Sequence, residues 1–537
     1  YIEVISYNKL KSLSDDLYSR NLPIKADRGK IVDRNGLVLA DNITTTSLVL
    51  VPRQIKDKEK VAKDLSDILG TSYEDMLAHV SKKTSIERVH PEGRRLSYET
   101  SDKINALNYD GVYLLKESKR YYPYKELLSH TLGYVGIDNQ GLSGLELIYD
   151  EYLKGEDGSI KYFSDGKGNR LEMAQVYENP TDGITIGLTI DLNLQKAVEG
   201  ALDEIVSKYT PEHALILAMD PQSGEILAMG SRPGFDPNNY KEYDTETINR
   251  NLPIWMTYEP GSTFKIITLA SSIEEKTIDL FKDTFTDSGS INVEGATLHC
   301  WKHGGHGTQT YLEVVENSCN PGFVSMGQKL GTQKLMSYIK SFGFGKKTGI
   351  DLNGESNGIL FNINKMGPVE TATTAFGQGI SVTPLQQITA VSAVVNGGNL
   401  YKPYIVKSLT NESGALLDYN EKVLVKKVIS KDTSSLVRFT LESVVANGTG
   451  RNAYIENYRV GGKTGTAQKV VDGKYSSSSY ILSFVGFMPA DNPKIVIYVA
   501  IDGAKNVTQY GGTVSAPIAK NIMLDIIDKL KIEKSEY

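Results

Sequence analysis

The stretch YEPGSTFKIITL, residues 258–269, sets a lysine inside a run that is otherwise apolar on nearly every side. Pro260 and Gly261 break the chain ahead of it, and Phe264, Ile266, Ile267, Leu269 and Ala270 then mark a helix buried in a large core. If that helix begins at Ser262, Lys265 lies one turn further along and the two side chains share a face. An ammonium group in such a setting is costly without partners, so Lys265 is expected to be held by polar neighbours or to be partly neutral. A fold built on this segment has to place a polar cleft inside a large core.

The chain is long enough to do so. Its 537 residues exceed one ordinary domain and predict two or three folded regions. A hydrophobic content of 40% and a charged content of 23% are those of a globular protein, and a net charge of -6 argues against nucleic acid as a partner. Cys300 and Cys319 are the only cysteines, so no disulfide framework is expected. No run of about 18 apolar residues and no signal-peptide pattern is present.

Residues 1–180 mix strand-like runs such as TTTSLVLVP with charged helical stretches such as DKEKVAKDLSDILG, and read as a mixed α+β region. The Gly-, Asn- and Asp-rich stretch at 165–183 places a boundary there. Residues 181–537 then predict two strands joined by the turn DPQSGE, a set of helices, the late strands YILSFVGFMPA and KIVIYVAID, and a terminal helix. The expected fold class is α+β, with an antiparallel sheet flanked by helices in the second region. The serines at 476–479 read as a hairpin tip.

The spacing S-x-x-K carries little information alone, since Ser6 with Lys9, Ser164 with Lys167 and Ser337 with Lys340 share it. Ser262 differs in standing at the start of a buried helix, where free backbone N–H groups and the helix dipole favour negative charge on its oxygen. Two further elements follow in order. ENSCNPGF holds Ser318 and Asn320, which in extended backbone would point to one side. VGGKTGTAQ holds Lys463, Thr464, Gly465 and Thr466 and reads as the start of a strand, in which Gly465 lets another backbone lie close. Ser290 with Asn292 and Lys347-Thr348-Gly349 repeat these spacings; the second lies in a Gly-rich loop with no strand behind it and is set aside.

Taken together, Ser262–Lys265, Ser318–Asn320 and Lys463–Thr466 resemble the three motifs of the penicillin-binding proteins and serine β-lactamases. The blocks at 28–40, 120–136 and 141–155 resemble the N-terminal region of class B penicillin-binding proteins, and those at 342–355 and 375–386 resemble their catalytic domain. The flavour is the division or sporulation type of a Gram-positive cell. The resemblance implies a penicillin-binding transpeptidase domain on a non-catalytic pedestal of the dimerisation type.

It further implies that Ser262 attacks the carbonyl of a D-Ala-D-Ala stem peptide and that Lys265 takes its proton, with Lys463 supplying the cation that depresses the Lys265 pKa. Ser318 would relay a proton to the departing D-alanine and Asn320 would hold the substrate amide. Lys463 and Thr464 would face the terminal carboxylate, and the N–H groups of Ser262 and Thr466 would form an oxyanion hole. No cofactor is implied for catalysis. Implied partners are peptidoglycan stem peptides, β-lactams bound covalently at Ser262, and a polytopic membrane glycan polymerase (glycosyltransferase) at the pedestal. The family carries a single-pass membrane anchor with the bulk of the protein outside the cytoplasm.

LHCWKHGGHG, residues 298–307, gathers three of the seven histidines and one of the two cysteines. Cys300, His303 and His306 suit Zn²⁺, with Asp287 as the fourth ligand if a hairpin through SINVEGATL folds it back. Such a site would be structural, with His299 pointing away. Two other readings share the motifs. A β-lactamase or carboxypeptidase needs an added base for hydrolysis, to which no carboxylate motif is assigned. A silent scaffold or β-lactam sensor would not need the intact set of Ser262, Lys265, Ser318, Asn320 and Lys463.

Overall fold

The computed structural model describes residues 19–535 apart from 85, 165–169 and 472–473; Ser6, Lys9 and Lys167 thus lie outside the described residues. In the N-terminal region a short strand β1 (Ile31–Val32) leads into the long strand β2 (Val38–Leu50), whose last three residues are buried. A helix α1 (Lys58–Leu69) follows, capped by the Asp57 carboxylate at the Lys60 N–H and ended by Gly70 in the left-handed conformation. It buries Val61, Ala62 and Leu65 beside Leu48 and Leu50 in a small separate core. Strand β3 (Val112–Tyr121) pairs antiparallel with β2 along its whole length.

The second region opens with β4 (Thr185–Leu188) and the amphipathic helix α2 (Leu192–Tyr209), capped by Asp191. Two strands, β5 (His213–Met219) and β6 (Ile226–Arg232), flank the DPQSGE turn. After the buried helix α3 (Lys265–Glu274) come four short strands, β7 (Thr284–Asp287), β8 (Ser290–Val293), β9 (Ala296–His299) and β10 (Gly307–Thr310). Helices α4 (Tyr311–Glu316) and α5 (Asn320–Leu330) follow. Further on lie β11 (Val406–Thr410), β12 (Leu416–Tyr419), β13 (Gly461–Val471), β14 (Lys474–Met488), β15 (Ile495–Asp502) and the terminal helix α6 (Gly511–Ile526). The serines at 476–479 lie within β14, which already begins at Lys474, rather than at a hairpin tip.

Five strands form an antiparallel sheet in the order β6-β5-β15-β14-β13. Its central strands are apolar throughout because helices cover both faces. Leu215, Leu217, Val496 and Tyr498 enter one core with Ile266, Ile267 and Leu269 of α3, whereas Ala214, Ile216, Ile495 and Ile497 enter a second core with residues of α2 and α6. The period-two alternation of a strand thus serves two hydrophobic layers. A second sheet runs β12-β11-β4-β1-β2, with β3 also on β2, and its β1–β4 pair is parallel. This sheet joins strands from either side of residue 180.

The N-terminal region is held together internally by a buried ion network, all of whose members precede residue 180. Glu146 is fully buried and receives the Arg28 Nε at 2.6 Å, the Arg120 Nε at 2.6 Å and the Tyr122 hydroxyl at 3.2 Å. Arg28 also reaches Asp150 at 2.7 Å, and Arg120 donates to the Gly29 carbonyl at 2.7 Å. Removing one member of such a network leaves uncompensated charge indoors. Glu146→Ala is expected to lower the unfolding free energy of the pedestal transition by about 3–5 kcal/mol, read as a shift in urea midpoint; an unchanged midpoint would show that the network contributes nothing.

Candidate active site

The segment that carries Ser262 is a short turn before a helix. Gly261–Thr263 form one turn of 3₁₀ helix, and α3 begins at Lys265, so Ser262 sits just ahead of the helix N-terminus as its sequence predicts. Gly261 has φ +53°, and a Cβ there would stand 3.1 Å from the Ala467 Cβ, so the turn lies directly on β13. Gly465 of β13 is equally constrained: a Cβ would meet the Ser483 Oγ at 2.4 Å and the Thr263 Cγ2 at 3.0 Å. As the edge strand of the five-stranded sheet, β13 leaves alternate N–H and C=O groups free on the cleft side, which is the requirement for binding a peptide in extended form.

Lys265 is 1% exposed and Lys463 0% exposed, and both reach the same hydroxyl. The Ser318 Oγ receives the Lys463 Nζ at 2.9 Å and the Lys265 Nζ at 3.2 Å. Lys265 also donates to the Ser318 carbonyl at 2.8 Å and to the Asn320 Oδ1 at 2.7 Å. Among the described residues the Ser262 hydroxyl carries no hydrogen bond. Asn320 is tied from its other side, its Nδ2 donating to the His299 carbonyl at 3.2 Å. The Thr464 hydroxyl faces that of Thr449 at 3.4 Å, and the Thr466 hydroxyl accepts from the Gly511 N–H at 3.1 Å.

Burial lowers the Lys265 pKa to about 7, against the opposing influence of the Cys319 and Cys300 thiols. Burial pushes Lys463 well below its usual range, and the charge on Lys265 pushes it the same way. Dehydration is the leading cause of both shifts, and the two ammonium groups, on one hydroxyl, also repel each other. The backbone at the middle motif departs from the extended form expected. Ser318 has φ +52°, and Asn320 is the first residue of α5 with Cys319 as its N-cap, because the chain turns sharply between α4 and α5. The two side chains still converge on one ammonium.

The histidine-rich segment packs directly behind this motif. Ligand atoms of Asp287, Cys300, His306 and Cys319 lie within 4.8 Å of one another. His303, expected among the ligands, is not of this group: it is exposed in the turn that precedes Gly304 and Gly305. Cys319, the residue between Ser318 and Asn320, stands in its place. Spacing within 298–307 had no means of showing this, since the fourth member comes from another loop. The His306 Nδ1 lies 2.8 Å from the Asp287 Oδ2 and 3.4 Å from the Cys300 Sγ, and the Cys319 Sγ lies 3.3 Å from the Asp287 Oδ2. The hairpin β8–β9 is present and returns the chain to Asp287, while the His299 side chain is exposed as expected. The bond from Cys319 lowers the Cys300 thiol to about 6, and burial helps to push Cys319 up. Burial of Asp287 opposes its ionisation but is outweighed by donors from Cys300, Gly289, His306 and Cys319, which hold it at about 2.

Comparison with known proteins agrees with this geometry. Residues 214–524 match the penicillin binding protein transpeptidase domain, and residues 23–188 match the penicillin-binding protein dimerisation domain. The chain belongs to the penicillin-binding proteins. It is a class B member, a serine transpeptidase of cell-wall crosslinking. Over 535 residues this penicillin-binding protein is 54% identical to stage V sporulation protein D of Bacillus subtilis, covering 99% of this chain and 83% of that one. It is 32% identical to a peptidoglycan D,D-transpeptidase FtsI homolog of Mesostigma viride, covering 100% and 93%. A crystal structure of a peptidoglycan synthetase from Bifidobacterium adolescentis superposes with a TM-score of 0.77 at 25% identity, over 97% of this chain and 98% of that one. The sporulation or division flavour read from the sequence agrees with these relatives.

A base that is neutral only above its own pKa imposes a direction on the pH profile. The second-order rate of acylation by benzylpenicillin is expected to rise about tenfold per pH unit below a value of about 7, where Lys265 loses its proton, and to level off above it. A profile flat from pH 5 to about 8 would show that Lys265 is not the base.

Proposed function

We propose that this penicillin-binding protein crosslinks stem peptides through an acyl-enzyme on Ser262, with Lys265 as the base and Ser318 as the proton relay. The observation that carries the reading is one hydroxyl, Ser318, shared between two fully buried lysines. With both ammonium groups on one acceptor in a dry site, one of them is neutral and able to take a proton. The Ser262 proton passes to Lys265 as Oγ bonds to the carbonyl carbon of the penultimate D-alanine. The oxygen charge that develops faces the N–H groups of Ser262 and Thr466, each worth about 3 kcal/mol in such sites. As the peptide bond breaks, Ser318 passes a proton to the leaving nitrogen and is resupplied from the lysines. Thr464 and Lys463 hold the departing carboxylate, and Asn320 holds the substrate amide. An amine of a second stem peptide then attacks the ester, and Ser262 recovers its proton.

The chemistry needs no metal. A structural Zn²⁺ held by Asp287, Cys300, His306 and Cys319 is nevertheless part of this reading. Two sulfurs, one imidazole nitrogen and one carboxylate oxygen, all within 4.8 Å of one another, are a tetrahedral zinc donor set. Because Cys319 lies between Ser318 and Asn320, an ion there would anchor the middle motif. A sporulation role follows the relative from Bacillus subtilis. The family likeness also supports a membrane anchor outside these residues, a catalytic domain outside the cytoplasm and a membrane glycan polymerase bound at the pedestal; no helix among the described residues is itself long and apolar enough to cross a membrane.

A fluorescent penicillin is expected to label the wild type and not Ser262→Ala; labelling of the alanine variant would transfer the nucleophile elsewhere. Elemental analysis is expected to find about one zinc per chain in the wild type and in His303→Ala, and a loss of at least tenfold in Cys319→Ser. Zinc-free wild type after purification without chelators would remove the metal from the reading.

A further inference from the structure

Glu259, three residues before the nucleophile, has no task in the chemistry above. Its Oε1 accepts from the Gly379 N–H at 2.9 Å and from the Tyr475 hydroxyl at 3.2 Å. Its Oε2 is closed to solvent and accepts nothing among the described residues. Burial raises its pKa against those two bonds, and no cation among the described residues offsets the burial. A half-enclosed carboxylate without a counter-ion is unfavourable on its own and favourable once an ammonium joins it.

Its position relative to the substrate follows from β13. The departing carboxylate lies at Lys463 and Thr464, and the carbonyl under attack lies between Ser262 and Thr466. The donor peptide ahead of that carbonyl therefore continues along Ala467 and Gln468, toward the hairpin in which Val470 pairs with Tyr475. Gly261 packs against Ala467 on this side, and Glu259 reaches Tyr475 beyond it. A crosslinkable stem peptide carries a side-chain amine, and the residue that bears it precedes the two D-alanines.

We infer that Glu259, screened by Tyr475, receives the side-chain ammonium of the donor residue that precedes the two D-alanines, and so selects donors that carry a free amine. Tyr475 is 48% exposed, and its phenol is the movable donor at Oε1. When it swings aside, the ammonium takes its place and brings a further N–H to Oε2. Glu259 is then a specificity residue, not a catalytic one.

The inference rests on the transpeptidase reading and is tested by comparing two donors within each variant. The peptides are Nα-acetyl-lysyl-D-alanyl-D-alanine and the same peptide acetylated at Nε, with release of D-alanine as the readout. The wild type is expected to favour the free amine by about tenfold or more in kcat/KM, mostly through KM. Glu259→Gln keeps an acceptor for the Gly379 N–H and is expected to bring the ratio near one. Tyr475→Phe is expected to keep the preference, since the carboxylate remains. The ratio is taken inside one preparation, so a variant that folds poorly still reports it. Equal rates for both donors in the wild type, or an undiminished ratio in Glu259→Gln, would overturn the subsite while leaving the transpeptidase intact. No release from either donor would overturn both.

Discussion

Two ammonium groups that share one hydroxyl, out of reach of water, cannot both stay charged. That constraint organises the catalytic half of this penicillin-binding protein. Lys265 comes from a helix, Lys463 from an edge strand and Ser318 from the turn between two helices, and each is held by a different part of the core. Holding them at 2.9 and 3.2 Å around one oxygen requires that the helix, the strand and the turn be rigid with respect to one another. The two hydrophobic layers on either face of the five-stranded sheet supply that rigidity, and they supply the dehydration that lowers Lys265 at the same time.

The middle motif shows how closely catalysis and local architecture are tied. Ser318 takes a left-handed backbone conformation, Cys319 turns inward to Asp287, and Asn320 opens a helix. Ser318 and Asn320 thus both face the Lys265 ammonium, while Cys319 between them faces the Asp287–Cys300–His306 cluster. A left-handed conformation in a non-glycine residue persists only where its surroundings hold it, and here a lysine on one side and a carboxylate on the other do so. The thiols also bear on Lys265 electrostatically, opposing the effect of burial.

Much of this was legible in the residue order. The run around Lys265 demanded a buried polar cleft, and the strand-turn-strand pattern of 213–232 and the late strands of 474–502 emerged as written. The three motif segments were recognisable from a serine after a Pro-Gly turn, the Ser318–Asn320 pair, and a glycine at the start of a strand that lets another backbone lie close. The metal-type cluster was only partly legible. Asp287, Cys300 and His306 converge, but the expected His303 is exposed and Cys319 replaces it, since close spacing in sequence gives no information about which loop folds against which. The extended backbone expected at Ser318 was likewise a local inference that the packing of two helices overrode.

The residue order by itself determined which chemical groups this chain possesses and which of them must lose their water, because side-chain type and apolar surroundings are written locally. It determined the helix carrying Lys265 and the strand carrying Lys463 for the same reason. Only the tertiary structure decided that Ser318 accepts from both lysines, that Lys265 and Lys463 are buried side by side, and that Cys319 faces Asp287. Those facts depend on distances between segments up to about two hundred residues apart, and such distances arise from the packing of whole layers, which no short window of sequence contains.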